Sequence, residues 1–94
     1  MDLLEIMQKK LGTILDVRSP GEFQGGNVAG SLNIPLQEIP ARLEEIKNLP
    51  APLVCCCASG NRSGQALQFL EQKGISCING GSWNNLHFLS LQKN

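Results

Sequence analysis

The chain has 94 residues, of which 41 % are hydrophobic, and its 8 basic side chains balance 8 acidic ones. That length bounds it to one small domain over residues 1–94, with a modest core and marginal stability. A formal net charge of zero offers no basic field for nucleic acid or an anionic membrane, and the apolar runs are too short to span a bilayer.

The N-terminus carries acids early and has no basic region followed by an apolar core, so it does not read as a secretory signal. Cys55, Cys56 and Cys57 are adjacent, and Cys77 stands apart. Neighbouring residues on a strand point to opposite faces, which makes a poor disulfide framework. There is no Cys-x-x-Cys pair, and the single histidine, His87, is remote, so no zinc site or other metal is implied. Free thiols suit a reducing compartment, and a cytoplasmic location is expected.

In chain order, residues 2–10 place Leu3, Leu4, Ile6 and Met7 among polar neighbours, which predicts an amphipathic helix ended by Gly12. Residues 13–17 predict a buried strand. Ser19-Pro20-Gly21-Glu22 is a capping-box pattern with proline at the first helical position. Residues 31–35 predict a short strand stopped by proline. Residues 40–49 repeat Leu43, Ile46 and Leu49 at helical spacing, and Pro50 and Pro52 end that helix.

Residues 53–56 predict the next strand. Residues 63–73 predict a helix with Ala66, Leu67, Phe69 and Leu70 as its stripe and Gly74 just past its end. Residues 75–78 predict a strand, placing Cys77 beside the strand of Cys55. Asn79-Gly80-Gly81-Ser82-Trp83 reads as a turn, and residues 84–91 as a last helix. Apolar strands alternating with helices predict an α/β fold with a parallel sheet. In such sheets sites lie beyond the carboxyl ends of the strands. Asp16, Arg18, Cys57 and Asn79-Gly80-Gly81 are all expected there.

The chemistry concentrates in Cys57-Ala58-Ser59-Gly60-Asn61-Arg62-Ser63. A strand hands over to a turn-prone loop and a helix N-terminus, with a thiol at the junction. Backbone N–H groups at such a terminus favour negative charge, and a cysteine there has a lowered pKa. Cys57 is therefore read as a nucleophile that carries sulfur; without the loop pattern it would be read as a buried packing thiol. Arg62 is the loop's one cation, and its fixed donor fork suits an anchor. Cys55 and Cys56 read as packing residues, or else as resolving thiols for an oxidised Cys57.

These motifs resemble a single-domain rhodanese, a sulfurtransferase. The likeness is carried by Asp16-Val17-Arg18, Glu22-Phe23, the Gly26 to Pro35 segment, the Cys57 loop and Asn79-Gly80-Gly81. It implies a small rhodanese-like domain of about four parallel strands with helices on both faces, since the N-terminus is too short for a fifth, edge strand. It implies sulfur transfer from a donor such as thiosulfate, through a Cys57 persulfide, to cyanide or a thiol. On the resemblance, backbone N–H groups of Ala58, Ser59, Gly60, Asn61, Arg62 and Ser63 ring the sulfur. Arg62 fixes the loop beside the donor, and Asp16 and Arg18 support it. No cofactor is implied. Expected partners are the small donor and acceptor, or a sulfur-carrier protein or thioredoxin-like reductant, and a monomer is expected.

Counted from Cys56 instead, five residues precede Arg62, the spacing of tyrosine phosphatases and arsenate reductases related to the rhodanese fold. Gly60, three residues after Cys57, favours the sulfurtransferase frame. A non-catalytic rhodanese-like binding module is the third reading.

Overall fold

The structure, a computed structural model, describes residues 2–92. It is a mixed α/β fold. A four-stranded, all-parallel sheet has the order β2-β1-β3-β4, with β1 at Thr13–Asp16, β2 at Leu32–Asn33, β3 at Leu53–Cys57 and β4 at Ile78–Ser82. The helices are α1 (Leu3–Lys9), α2 (Pro20–Gln24), α3 (Leu43–Lys47), α4 (Asn61–Gln72) and α5 (Trp83–Ser90). β3 is central and buried along its whole length, as the run Leu53-Val54-Cys55-Cys56-Cys57 demands of a strand covered on both faces.

Alternation along β3 sorts the core into two layers. Leu53, Cys55 and Cys57 face Ile39, Ile46, Ala66 and Leu70 from the α3 and α4 side. Val54 and Cys56 face Ile6 and Met7 of α1, Leu86 of α5, and Val28. Helices therefore cover both faces of the sheet, as the resemblance implied.

Four sequence expectations are corrected. Lys10, not Gly12, ends α1: it adopts a left-handed conformation with φ 53°. The Leu11 N–H bonds back to the Ile6 carbonyl at 3.0 Å, turning Leu11 toward the second core layer. The helix expected over residues 40–49 is a 3₁₀ segment, Leu36–Arg42, followed by the short α3. Pro40 has no N–H to extend an α ladder, which favours the tighter form.

The strand expected at residues 75–78 starts only at Ile78, so Cys77 precedes it rather than lying on it. Gly74 and Ile75 direct their N–H groups to Glu71 and Leu70 carbonyls at 3.1 and 2.9 Å, closing the end of α4. Those donors are then lost to a ladder. Finally, Asn79-Gly80-Gly81-Ser82 is strand, not turn. A Cβ on Gly80 would stand 2.8 Å from Val54 Cγ1, so only glycine lets β4 lie this close to β3. The ladder resumes at Cys57–Ser82 after a bulge.

Candidate active site

Cys57 is the last residue of β3, and its side chain is buried. The chain turns over it through exposed Ala58 and Ser59 to Gly60, which sits at φ 101° immediately before α4. That conformation aims the Gly60 N–H back at Cys57 Sγ, 3.0 Å away. The Ser63 N–H, one turn into α4, reaches the same sulfur at 3.4 Å, and Ser63 Oγ lies 3.5 Å from it. Burial by itself pushes the Cys57 thiol up. Hydrogen bonds from the Ser63 hydroxyl and from the Ser63, Gly60 and Ser59 N–H groups outweigh it and bring the thiol down to about 7. Of the six loop residues expected to ring the sulfur, Ser59, Gly60 and Ser63 act on it; Ala58 and Asn61 are exposed.

Asn79 ties this nest together. Its Oδ1 accepts from Ser63 Oγ at 2.7 Å and from the Gly81 N–H at 3.0 Å, while its Nδ2 donates to the Gly60 carbonyl at 3.2 Å. One side chain on β4 thus fixes Gly60 and Ser63, two of the residues whose donors hold the sulfur. The expectation of a turn at residues 79–83 hid this role.

Asp16 and Arg18 form a buried pair at the carboxyl end of β1, with Arg18 Nη2 2.7 Å from Asp16 Oδ2. The hydrogen bonds that Asp16 accepts hold the Arg18 guanidinium above its ordinary pKa. Arg18 also donates to the carbonyls of Glu22 (3.2 Å) and Gly26 (2.6 Å), and its guanidinium lies 4.7 Å from the Trp83 ring centre. The pair therefore braces the α2 segment, not the cysteine loop directly. The link to the loop is Glu22, whose carboxylate takes both terminal nitrogens of Arg62 at 2.7 and 2.9 Å. Arg62 ties the loop to α2, and its charge is met by Glu22. In the sequence Glu22 reads as a capping residue and as part of the family likeness, but not as the partner of Arg62, because a partner 40 positions away leaves no local pattern.

Cys56 points into the opposite layer, where burial first, and then the Asp16 charge, push its thiol up to about 12. The Cys77 thiol and burial push Cys55 up as well. Among the described residues no cluster of three or more His, Cys, Asp or Glu side chains could hold a metal ion, and no helix is long and apolar enough to cross a membrane. A cavity of about 500 Å³ opens elsewhere, between α1, α5 and residues 28–30, and none of the loop residues line it.

A buried cysteine sulfur facing backbone N–H groups at a strand-to-helix junction, braced from two neighbouring strands, is the candidate site of this parallel α/β sheet. The family model of the Rhodanese-like domain matches residues 1–85, and the chain belongs to that family. It is 41 % identical over 65 residues to the uncharacterized protein YqhL of Bacillus subtilis. It is 38 % identical over 65 residues to a sulfurtransferase of Allochromatium vinosum. Each alignment covers 69 % of this chain, which spans 51 % and 60 % of those relatives. Among solved structures, a rhodanese-related protein from Thermoplasma volcanium superposes with a TM-score of 0.78 at 32 % identity, covering 98 % of this chain and 89 % of that one.

Proposed function

We propose that the chain is a sulfurtransferase that carries sulfane sulfur on Cys57. The Cys57 thiolate attacks the outer sulfur of a donor such as thiosulfate. A new S–S bond forms at Cys57, the donor's own S–S bond breaks, and its electron pair leaves with sulfite. A thiolate or cyanide then attacks the outer persulfide sulfur, and the bonding pair returns to Cys57. Two displacements on one residue imply ping-pong kinetics.

The observation that carries this reading is the aim of the Gly60 and Ser63 N–H groups at Cys57 Sγ, 3.0 and 3.4 Å away. A group ionising at about 7 is half thiolate at neutral pH, and the same donors suit the anionic persulfide. The name of the Allochromatium relative supports the reading as well. Acceptors of this chemistry are cyanide, a small thiol, a sulfur-carrier protein or a thioredoxin-like reductant. Four free cysteines suit a reducing compartment such as the cytoplasm.

Intact mass after incubation with thiosulfate, or with a small persulfide, tests the proposal. One added sulfur is expected, removable by cyanide and absent in Cys57→Ser. Uptake that survives Cys57→Ser would place the chemistry elsewhere.

A further inference from the structure

Arg62 is the loop's own cation, yet its two terminal nitrogens both face Glu22, at 2.7 and 2.9 Å. A half-exposed ion pair ordinarily exchanges partners freely. This carboxylate has further anchors. Glu22 Oε1 accepts from the Ser19 N–H and the Ser19 hydroxyl, each at 3.0 Å. The Glu22 carbonyl is held by Arg18 Nη1 at 3.2 Å. Glu22 is thus fixed in place before any donor arrives. The Arg62 guanidinium and the Ser19 N–H hold its carboxyl down to about 2, so it stays charged at neutral pH. The second cation of this cluster, Arg18, is paired with Asp16. Among the described residues, both cations of this cluster are thus paired with carboxylates.

We propose that Glu22 sets the charge of the sulfur donor, turning the site away from dianions such as thiosulfate and toward thiol-borne persulfides of lower charge; this rests on the sulfurtransferase reading. With a persulfide donor, the Cys57 thiolate bonds the outer sulfur, the donor S–S bond breaks, and the electron pair leaves as the donor's thiolate. No anion heavier in charge than a thiolate has to enter or leave. With thiosulfate, a dianion must approach, and a sulfite dianion must leave, beside a loop whose one cation is already paired with Glu22.

Glu22→Gln tests this. Glutamine also serves the third position of a capping box, so α2 is retained. Electrostatic work scales with donor charge, so persulfide formation should quicken about tenfold with thiosulfate and about threefold with the monoanionic persulfide of 2-mercaptoethanol. Both gains should shrink as salt is raised. An equal change with the two donors, or a slower reaction with thiosulfate, would overturn the proposal.

A second measurement needs no sulfur transfer: alkylation of Cys57 by iodoacetate and by iodoacetamide. Their rate ratio cancels the thiolate fraction and reads only the charge at the mouth. Glu22→Gln should raise that ratio about threefold, and Arg62→Gln should lower it by a similar factor. A ratio indifferent to both variants sinks the charge gate. A shifted ratio in a protein that takes sulfur from neither donor upholds the gate and rejects the sulfurtransferase reading.

Discussion

Ser63→Ala probes how the sulfur is held. Ser63 is buried, with its Oγ 3.5 Å from Cys57 Sγ and 2.7 Å from Asn79 Oδ1. A hydroxyl has one proton to give. While Cys57 is a thiol, its S–H can donate to Ser63 Oγ and the hydroxyl proton can stay with Asn79. Once Cys57 ionises, the sulfur only accepts, and the hydroxyl must turn to it. Alanine removes that donor and leaves the Gly60 and Ser63 N–H groups at 3.0 and 3.4 Å. Asn79 keeps its bonds to Gly81 and Gly60, so no buried carbonyl is stranded.

A hydrogen bond to a charged group contributes about 1.5–3 kcal/mol. At 3.5 Å this one belongs at the weak end, worth about one pKa unit. The Cys57 midpoint, about 7 in the parent, should therefore rise to about 8. At pH 7 the thiolate fraction falls from about one half to about one tenth, while each thiolate becomes about threefold more nucleophilic. Exchange with a small neutral disulfide should slow about twofold at pH 7 and quicken about threefold well above the midpoint. Ultraviolet absorbance of the thiolate gives the midpoint directly. The two rate profiles should cross, whereas a merely structural defect moves both ends the same way. A midpoint unmoved or lowered would mean that the hydroxyl stays with Asn79 and contributes nothing to the anion.

Three further substitutions examine the scaffold. Arg18→Ala leaves a fully buried Asp16 without its partner and should cost about 3–5 kcal/mol in urea unfolding; a loss below about 1 kcal/mol would show that the pair is dispensable. Gly60→Ala forces a side chain to φ 101° with its Cβ 3.4 Å from Gly81, so stability should fall by roughly 1–2 kcal/mol, seen as a lower Tm, and the Cys57 midpoint should rise. Cys56→Ser should keep sulfur uptake, because Cys56 lies in the other layer, while a hydroxyl among Ile6, Met7 and Leu86 costs about 1–3 kcal/mol of stability. A folded Cys56→Ser protein that takes up no sulfur would overturn the choice of cysteine.

Much of the fold was legible because local chemistry decided it. The capping box at Ser19 and Glu22 forms with both of its reciprocal bonds, since proline and two short polar side chains settle that turn alone. The glycine after α4 closes the helix where the spacing put it. The spacing from Cys57 to Gly60 is equally local, and the Gly60 N–H lies 3.0 Å from the Cys57 sulfur. The strand β4 departs from its local pattern for the opposite reason. Asn-Gly-Gly has turn chemistry, and only the closeness of Val54 and Leu86 makes a glycine-rich strand the better solution.

Local sequence pattern is enough for the alternation of strands and helices, for the loop that brings N–H donors to one sulfur, and for the family. Periodicity, caps and turn residues act over a few positions, and those features are built at that range. Tertiary structure alone decided which groups surround the sulfur and what charge they leave. Asn79 reaches Ser63 across 16 positions and Glu22 reaches Arg62 across 40, through contacts that exist only once the parallel strands are aligned side by side. The same alignment gave three adjacent cysteines different roles: alternation along β3 set Cys56 in the opposite layer, and the end of the strand left Cys57 beneath the loop.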